Sequence, residues 1–116
     1  MKCTAAMTRP DALHRTLGPV SGIPLGEGRV FAVDGRRIAV FRPRDGRLFA
    51  AEADCPHRGG PLADGLLGGS IVICPLHGLK FDLATGQPVG HDCRSLATYP
   101  VEVTPDDEII LRVNGR

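Results

Sequence analysis

Two short pairs of cysteine and histidine carry the strongest chemical signal in this chain. His57 follows Cys55 by two positions, and His77 follows Cys74 by three. Sixteen residues separate His57 from Cys74, and both pairs lie in stretches rich in glycine and proline. Thiolate and imidazole are ligands that proteins offer to zinc and to iron–sulfur centres. The spacing therefore predicts a metal centre held between two loops.

The distribution of ligands between the loops indicates which kind of metal centre they hold. A Cys2His2 zinc finger usually takes both cysteines from one turn and both histidines from one helix. Here each loop supplies one of each, which suits a [2Fe–2S] cluster with both thiolates on one iron and both imidazoles on the other. The neighbouring glycines fit as well, because backbone N–H groups must approach the sulfur atoms. A structural zinc module, and a disulfide beside two unrelated surface histidines, stay open as alternatives.

The two loops and their flanks resemble the Rieske family. The resemblance extends from about residue 26 to residue 113 and includes the runs 57–62, 75–78, 81–82 and 85–86. It implies a β-sandwich or small barrel in which the loops, at about residues 54–82, pack together as a cluster-binding subdomain. It also implies that Cys55, His57, Cys74 and His77 hold a [2Fe–2S] cluster, with the imidazoles nearest solvent, and that the chain transfers one electron.

Turn residues and short β-rich runs also predict the fold. The chain has 116 residues, with 15 glycines, 10 prolines and a weak helical pattern, which favours one all-β antiparallel domain of about eight to ten short strands. Asp34-Gly35 and Asp45-Gly46 predict tight turns in an antiparallel meander. Residues 1–12 are expected to be a loose tail before a single domain over 13–116, with helix limited to one short turn. The predicted strands are 13–20, 28–33, 37–42, 48–53, 70–73, 80–83, 96–103 and 108–113.

Composition limits the remaining functions. The formal net charge is +1 without a basic run, so nothing indicates a nucleic-acid partner. No apolar stretch approaches the ~20 residues of a membrane span, and the start lacks a signal-peptide segment, so we expect no membrane partner and a cytoplasmic location. No general base, nucleophile or substrate pocket is indicated. We therefore predict no catalytic residue, and expect an oxidoreductase subunit or electron carrier rather than a complete enzyme.

The other cysteines and histidines are expected to be bystanders. Cys3 and Cys93 are predicted to be unpaired thiols in a reducing compartment. His14 is interpreted as an exposed strand residue. His91 and Cys93 are interpreted as part of a surface loop, although a second metal site there stays conceivable.

Two departures from high-potential Rieske proteins place the chain with the soluble, low-potential branch that it resembles. Respiratory members carry a disulfide between the loops, and its positions are Gly60 and Leu76 here. The same members have a Ser and a Tyr that donate hydrogen bonds to the cluster, and these positions are Leu79 and Phe81 here. Fewer donors leave more negative charge on the reduced cluster, which lowers its reduction potential.

The low-potential branch implies two kinds of partner. One is the large subunit of an assimilatory NAD(P)H nitrite reductase, which carries sirohaem, a [4Fe–4S] cluster and flavin. The other is a flavin reductase together with the oxygenase of an aromatic-ring dioxygenase system, between which a Rieske ferredoxin shuttles. The runs 37–42, 85–90, 92–93 and 98–101 look more like the nitrite reductase small subunit, which the sequence therefore favours.

The reduction potential gives a direct check on the assigned branch. We expect a midpoint near the low end of the Rieske range, about −150 mV. Phe81→Tyr should raise it by tens of millivolts, because a hydroxyl donor favours the more negative reduced form; ~59 mV corresponds to a tenfold change for a one-electron couple. Spectroelectrochemical titration of both proteins measures this. A wild-type midpoint above zero would contradict the low-potential assignment.

Overall fold

Antiparallel strands make up nearly all of the regular structure. The computed structural model describes residues 14–56, 59–76 and 78–112, so the predicted tail, His57, Arg58, His77 and the last four residues lie outside this part. The strands are β1 His14–Pro19, β2 Glu27–Val33, β3 Arg36–Arg42, β4 Phe49–Glu52, β5 Leu66–Gly68, β6 Ile71–Ile73, β7 Lys80–Asp82, β8 Pro88–Val89, β9 Thr98–Tyr99, β10 Val101–Val103 and β11 Glu108–Arg112. The predicted all-β antiparallel fold is confirmed.

The structure has more strands than the eight named from the sequence. The predicted strand over 96–103 is interrupted at Pro100, which lacks a backbone N–H, and its halves β9 and β10 join different sheets. Strands β5 and β8 were missed because they are short and contain glycine or proline. Helix was predicted to be limited to one short turn, but the described part of the chain contains two single 3-10 turns, Val20–Gly22 and Leu62–Asp64.

The described strands form three small sheets. Their strand orders are β1-β11-β10, β2-β3-β4-β9 and β5-β6-β7-β8, and every pairing is antiparallel. The predicted turn between β2 and β3 is present, since Val33 pairs with Arg36 across two residues of positive φ, Asp34 at 52° and Gly35 at 79°. Those torsions belong to a type I′ turn, whose twist matches that of the strands.

The four-stranded sheet β2-β3-β4-β9 separates two hydrophobic cores. Alternate residues of β3 face opposite sides, so Ile38 and Val40 enter one core while Ala39 and Phe41 enter the other. The core that contains Ile38 and Val40 is completed by Ile23, Val33, Ala50, Ile109 and Leu111. The other core contains Cys55 and Cys74 together with Ala51, Ala53, Leu62, Val72, Phe81, Leu83 and Leu96. We call it the cysteine core.

Strands next to the cysteine core lead into the two predicted ligand loops and fix where each loop begins. Strand β4 ends at Glu52 and leads to Cys55, while β6 leads to Cys74 and β7 carries the chain away. Leu62 returns from the first loop to donate its N–H to the carbonyl of Ala53 at 3.0 Å. Each cysteine is thus anchored to a hydrogen-bonded sheet.

Candidate metal centre

The first loop closes on Cys55 through two backbone hydrogen bonds. The N–H of Cys55 donates to the carbonyl of Gly60 at 2.8 Å, and the N–H of Gly59 donates to the carbonyl of Cys55 at 2.7 Å. Gly59 has a φ of 72°, which glycine adopts without a Cβ penalty. Both backbone polar groups of Cys55 are therefore used by its own loop.

The second loop repeats the same pattern. The N–H of Cys74 donates to the carbonyl of Leu79 at 2.7 Å, and the N–H of Gly78 donates to the carbonyl of Cys74 at 2.9 Å. Gly78 has a φ of 71°, close to that of its counterpart Gly59. In each loop the cysteine bonds to the carbonyl five residues ahead and to the amide four residues ahead. A glycine four residues after each cysteine is the sequence signal of this equivalence, which the predicted loops did not include.

The two loops meet at Gly60. A Cβ built on Gly60 would lie 2.7 Å from the Sγ of Cys74 and 3.1 Å from the side chain of Leu76. The first loop therefore lies directly against the thiol of the second, with room only for a hydrogen at position 60. Gly60 and Leu76, the positions matched to the respiratory disulfide, are neighbours across this contact.

Both predicted cysteine ligands are buried and neither forms a disulfide. Cys55 is 3% exposed and Cys74 2% exposed, and they belong to one packed core. His57 and His77 lie outside the described residues, so the complete ligand set stays a prediction. Among the described residues, no three His, Cys, Asp or Glu side chains gather as a metal site. The buried thiols from two touching loops fit the sulfur half of a [2Fe–2S] ligand set.

Leu79 and Phe81, the residues matched above to a Ser and a Tyr that donate hydrogen bonds, differ in their surroundings. Leu79 is half-buried and packs against the cysteine core, whereas Phe81 is fully buried within it. The ring of His91 lies edge-on to Phe81, with centroids 5.2 Å apart, and its Nε2 is 2.9 Å from the carbonyl of Lys80. His91 therefore rests on the strand that leaves the second loop. Cys93, predicted to be a surface thiol, is partly buried against the same core.

Of three acidic residues near the loops, one supports a turn through its carboxylate. Asp82 does so, since its Oδ1 accepts the N–H of Ala84 at 2.9 Å. Asp54 forms an exposed ion pair with Arg37 at 3.4 Å, and Asp64 lies in the first turn of the 3-10 helix Leu62–Asp64.

Comparisons with known proteins agree with this geometry. Residues 15–100 match the model of the Rieske [2Fe-2S] domain. The biphenyl dioxygenase ferredoxin subunit of Pseudomonas sp. strain KKS102 is 32% identical over 93 residues, covering 78% of this chain and 84% of that protein. The naphthalene 1,2-dioxygenase ferredoxin component of Pseudomonas aeruginosa is 32% identical over 82 residues, covering 70% of this chain and 78% of that protein.

Solved structures with the same fold include both kinds of relative. One is the ferredoxin of carbazole 1,9a-dioxygenase from Nocardioides aromaticivorans IC177, with a TM-score of 0.78, 27% identity, and coverage of 87% of this chain and 98% of that one. Another is a Mycobacterium tuberculosis protein assigned as the small subunit of an NADH-dependent nitrite reductase. It has a TM-score of 0.78, 26% identity, and coverage of 84% of this chain and 92% of that one.

The fold, the paired loops and their buried thiols define a small β protein of the iron–sulfur electron-transfer class. Within that class the chain belongs to the Rieske [2Fe–2S] family, and its cofactor is a Rieske [2Fe–2S] cluster. Among the described residues, no helix is long and apolar enough to cross a bilayer.

The contact at Gly60 can be tested by adding one methyl group. Gly60→Ala should lower the cluster content and the stability of the protein, because the new Cβ would overlap the Sγ of Cys74, and overpacking costs ~1–3 kcal/mol. Gly68→Ala is the matched control, since a Cβ there meets nothing within 4 Å. Iron per chain and thermal unfolding measure both variants. Equal iron content in the two variants would contradict the contact.

Proposed function

We propose that Cys55 and Cys74 ligate one iron of the cluster and that His57 and His77 ligate the other. The observation that carries this proposal is the contact of Gly60 with the Sγ of Cys74, which brings the two buried cysteine loops together. The cluster, when bound, accepts and donates one electron at a time. The protein's own part is to hold two thiols at fixed positions in an apolar core.

The loop backbone supports this role. Each cysteine amide and carbonyl is bonded within its loop, so the loop backbone fixes the position from which each thiol enters the core. Leu79 and Phe81 bring apolar surface and no hydroxyl donor to the positions that follow the second ligand pair. A centre with few donors and a partly apolar surround favours the less negative, oxidised state. This supports a low-potential carrier.

The preferred partners are two proteins: a flavin reductase, which donates the electron to this chain, and a ring-hydroxylating oxygenase, which accepts it. Similarity to the ferredoxin components of two dioxygenase systems, each 32% identical, supports this choice. The small subunit of a nitrite reductase is the second candidate, supported by the sequence runs described above and by the structural likeness at 26% identity. In either role we place the chain in the cytoplasm, where its thiols stay reduced.

Exposed apolar residues beside the second loop form a candidate docking surface. Leu76 is 55% exposed and Val89 40% exposed, while Pro75 and Lys80 are also exposed. Val89 pairs with Lys80 across β7 and β8, which links the loop to the neighbouring strand. Exposed apolar side chains with a cationic rim suit a redox partner with a small apolar patch and acidic surroundings.

The ligand proposal is tested by cysteine replacement. Cys55→Ser and Cys74→Ser should each abolish the visible spectrum and destabilise the fold, because ligation and folding are coupled in small metal domains. Cys3→Ser and Cys93→Ser should keep the spectrum, two irons, two acid-labile sulfides and a Rieske-type paramagnetic resonance signal. Zinc without iron in protein made under iron-replete conditions would overturn the proposal. Bleaching by Cys93→Ser equal to that by Cys74→Ser would show that the ligand set is wrong.

The docking surface is tested by one exposed leucine. Leu76→Ser should raise the KM for the partner about fivefold or more, since truncating an important interface residue costs above ~1 kcal/mol. Leu25→Ser is the matched control, because Leu25 is 46% exposed and stands in the sequence two positions after Ile23, which belongs to the other core. Reduction by the flavin reductase of an aromatic-ring dioxygenase system, and by a nitrite reductase large subunit, is followed for each variant. Equal effects of the two replacements would refute the docking surface, and turnover only with the nitrite reductase would select the second candidate.

A further inference from the structure

His91 makes two contacts with the strand that leaves the second cysteine loop. Its Nε2 lies 2.9 Å from the carbonyl oxygen of Lys80, and its ring lies edge-on to that of Phe81, with the two ring planes at 88°. Lys80 and Phe81 are consecutive residues of β7. Because a carbonyl oxygen only accepts hydrogen bonds, the first contact requires an imidazole that carries a proton on Nε2. The side chain therefore holds two successive residues of one strand.

The strand next to β7 explains how the imidazole reaches it. Strand β8 has only two residues, and its Val89 is paired with Lys80. Gly90 follows with a φ of 78°, which glycine adopts without a Cβ penalty, and His91 comes next. The chain thus turns where β8 ends, and the imidazole adds a further link from the same segment to β7.

The segment that His91 holds also closes the second cysteine loop. The carbonyl of Leu79, one residue before Lys80, accepts the N–H of Cys74 at 2.7 Å. Phe81 pairs with Val72 of β6 and is buried together with Cys74 in the cysteine core. A displacement of β7 would therefore disturb both the backbone bond at Cys74 and the packing around its thiol.

We infer that His91 is a positioning residue of the metal site, which holds the second cysteine loop closed through its hydrogen bond to Lys80. The consequence for the cluster rests on the ligand set proposed above, whereas the hydrogen bond itself involves no predicted ligand. Fixing Lys80 keeps the carbonyl of Leu79 within reach of the Cys74 amide, so loss of the bond raises the fraction of time for which the loop is open. One neutral hydrogen bond changes such an opening equilibrium about twofold to tenfold.

Three replacements separate the hydrogen bond from the ring contact. His91→Gln keeps an N–H donor on a side chain of similar reach and loses the ring, His91→Phe keeps a ring and loses the donor, and His91→Ala loses both. The measurement is hydrogen–deuterium exchange of the cluster-loaded protein, followed by mass spectrometry. His91→Ala should speed exchange in peptides that contain Cys74 about twofold to tenfold, while peptides that contain Cys55 stay near the wild type. His91→Gln should lie nearer to the wild type than His91→Phe does.

Release of iron to a chelator gives a second readout on the same variants. His91→Ala should release iron faster than the wild type by about twofold to tenfold, and His91→Gln should restore most of the retention, because an open loop exposes its ligands. His14→Ala is the matched control, since His14 is also a half-buried histidine but belongs to β1 of another sheet. It should leave both rates near those of the wild type.

Faster exchange confined to the second loop, with rescue by His91→Gln, supports the inference. Equal acceleration in both loops, an effect no larger than that of His14→Ala, or a His91→Gln variant no closer to the wild type than His91→Phe would overturn it. If His91→Ala does not hold the cluster, the comparison of His91→Gln with His91→Phe decides in the same way. A wild-type protein without a Rieske signal would instead refute the ligand proposal, and exchange measured on that protein would still decide whether the hydrogen bond holds the loop.

Discussion

Closure of each cysteine loop on its own backbone is the constraint on which the site depends. An amide and a carbonyl left without partners in a buried loop would each cost ~1–3 kcal/mol, so the ring of hydrogen bonds around each cysteine is required for burial. Glycine at the fourth position after each cysteine makes the ring sterically accessible. With the rings closed, the thiols enter an apolar core without stranding polar backbone atoms.

Packing between the loops then sets their separation. Gly60 is the point of contact, and its missing side chain lets the first loop approach the Sγ of Cys74. Two sheets support this arrangement. Strand β4 of the sheet β2-β3-β4-β9 leads to Cys55, and strand β6 of the sheet β5-β6-β7-β8 leads to Cys74. The site is therefore assembled by two sheets that share a core rather than by one continuous element.

Much of this architecture was readable from local chemistry. Asp34-Gly35 predicted a hairpin because both residues tolerate positive φ, and the structure has that turn. Strands β5 and β8 escaped notice because tertiary pairing, not propensity, makes them strands. The ion pair between Glu52 and Arg94 could not be predicted from the sequence either, because 41 residues lie between its partners and no local pattern connects them. The partial burial of Cys93 likewise depends on which core its loop crosses.

The position of β3 between the two cores links the candidate metal site to the opposite core. Its residues contribute alternately to the cysteine core and to the core that contains Ile109 and Leu111. Whatever stabilises one face of β3 thereby stabilises the element that the other face packs against. Cluster binding at the cysteine loops, as proposed above, would therefore also stabilise β1, β10 and β11, although these strands form a separate sheet. The amount of folded protein in a cell would then depend on the supply of iron and sulfide. When either is scarce, the amount of the protein would fall.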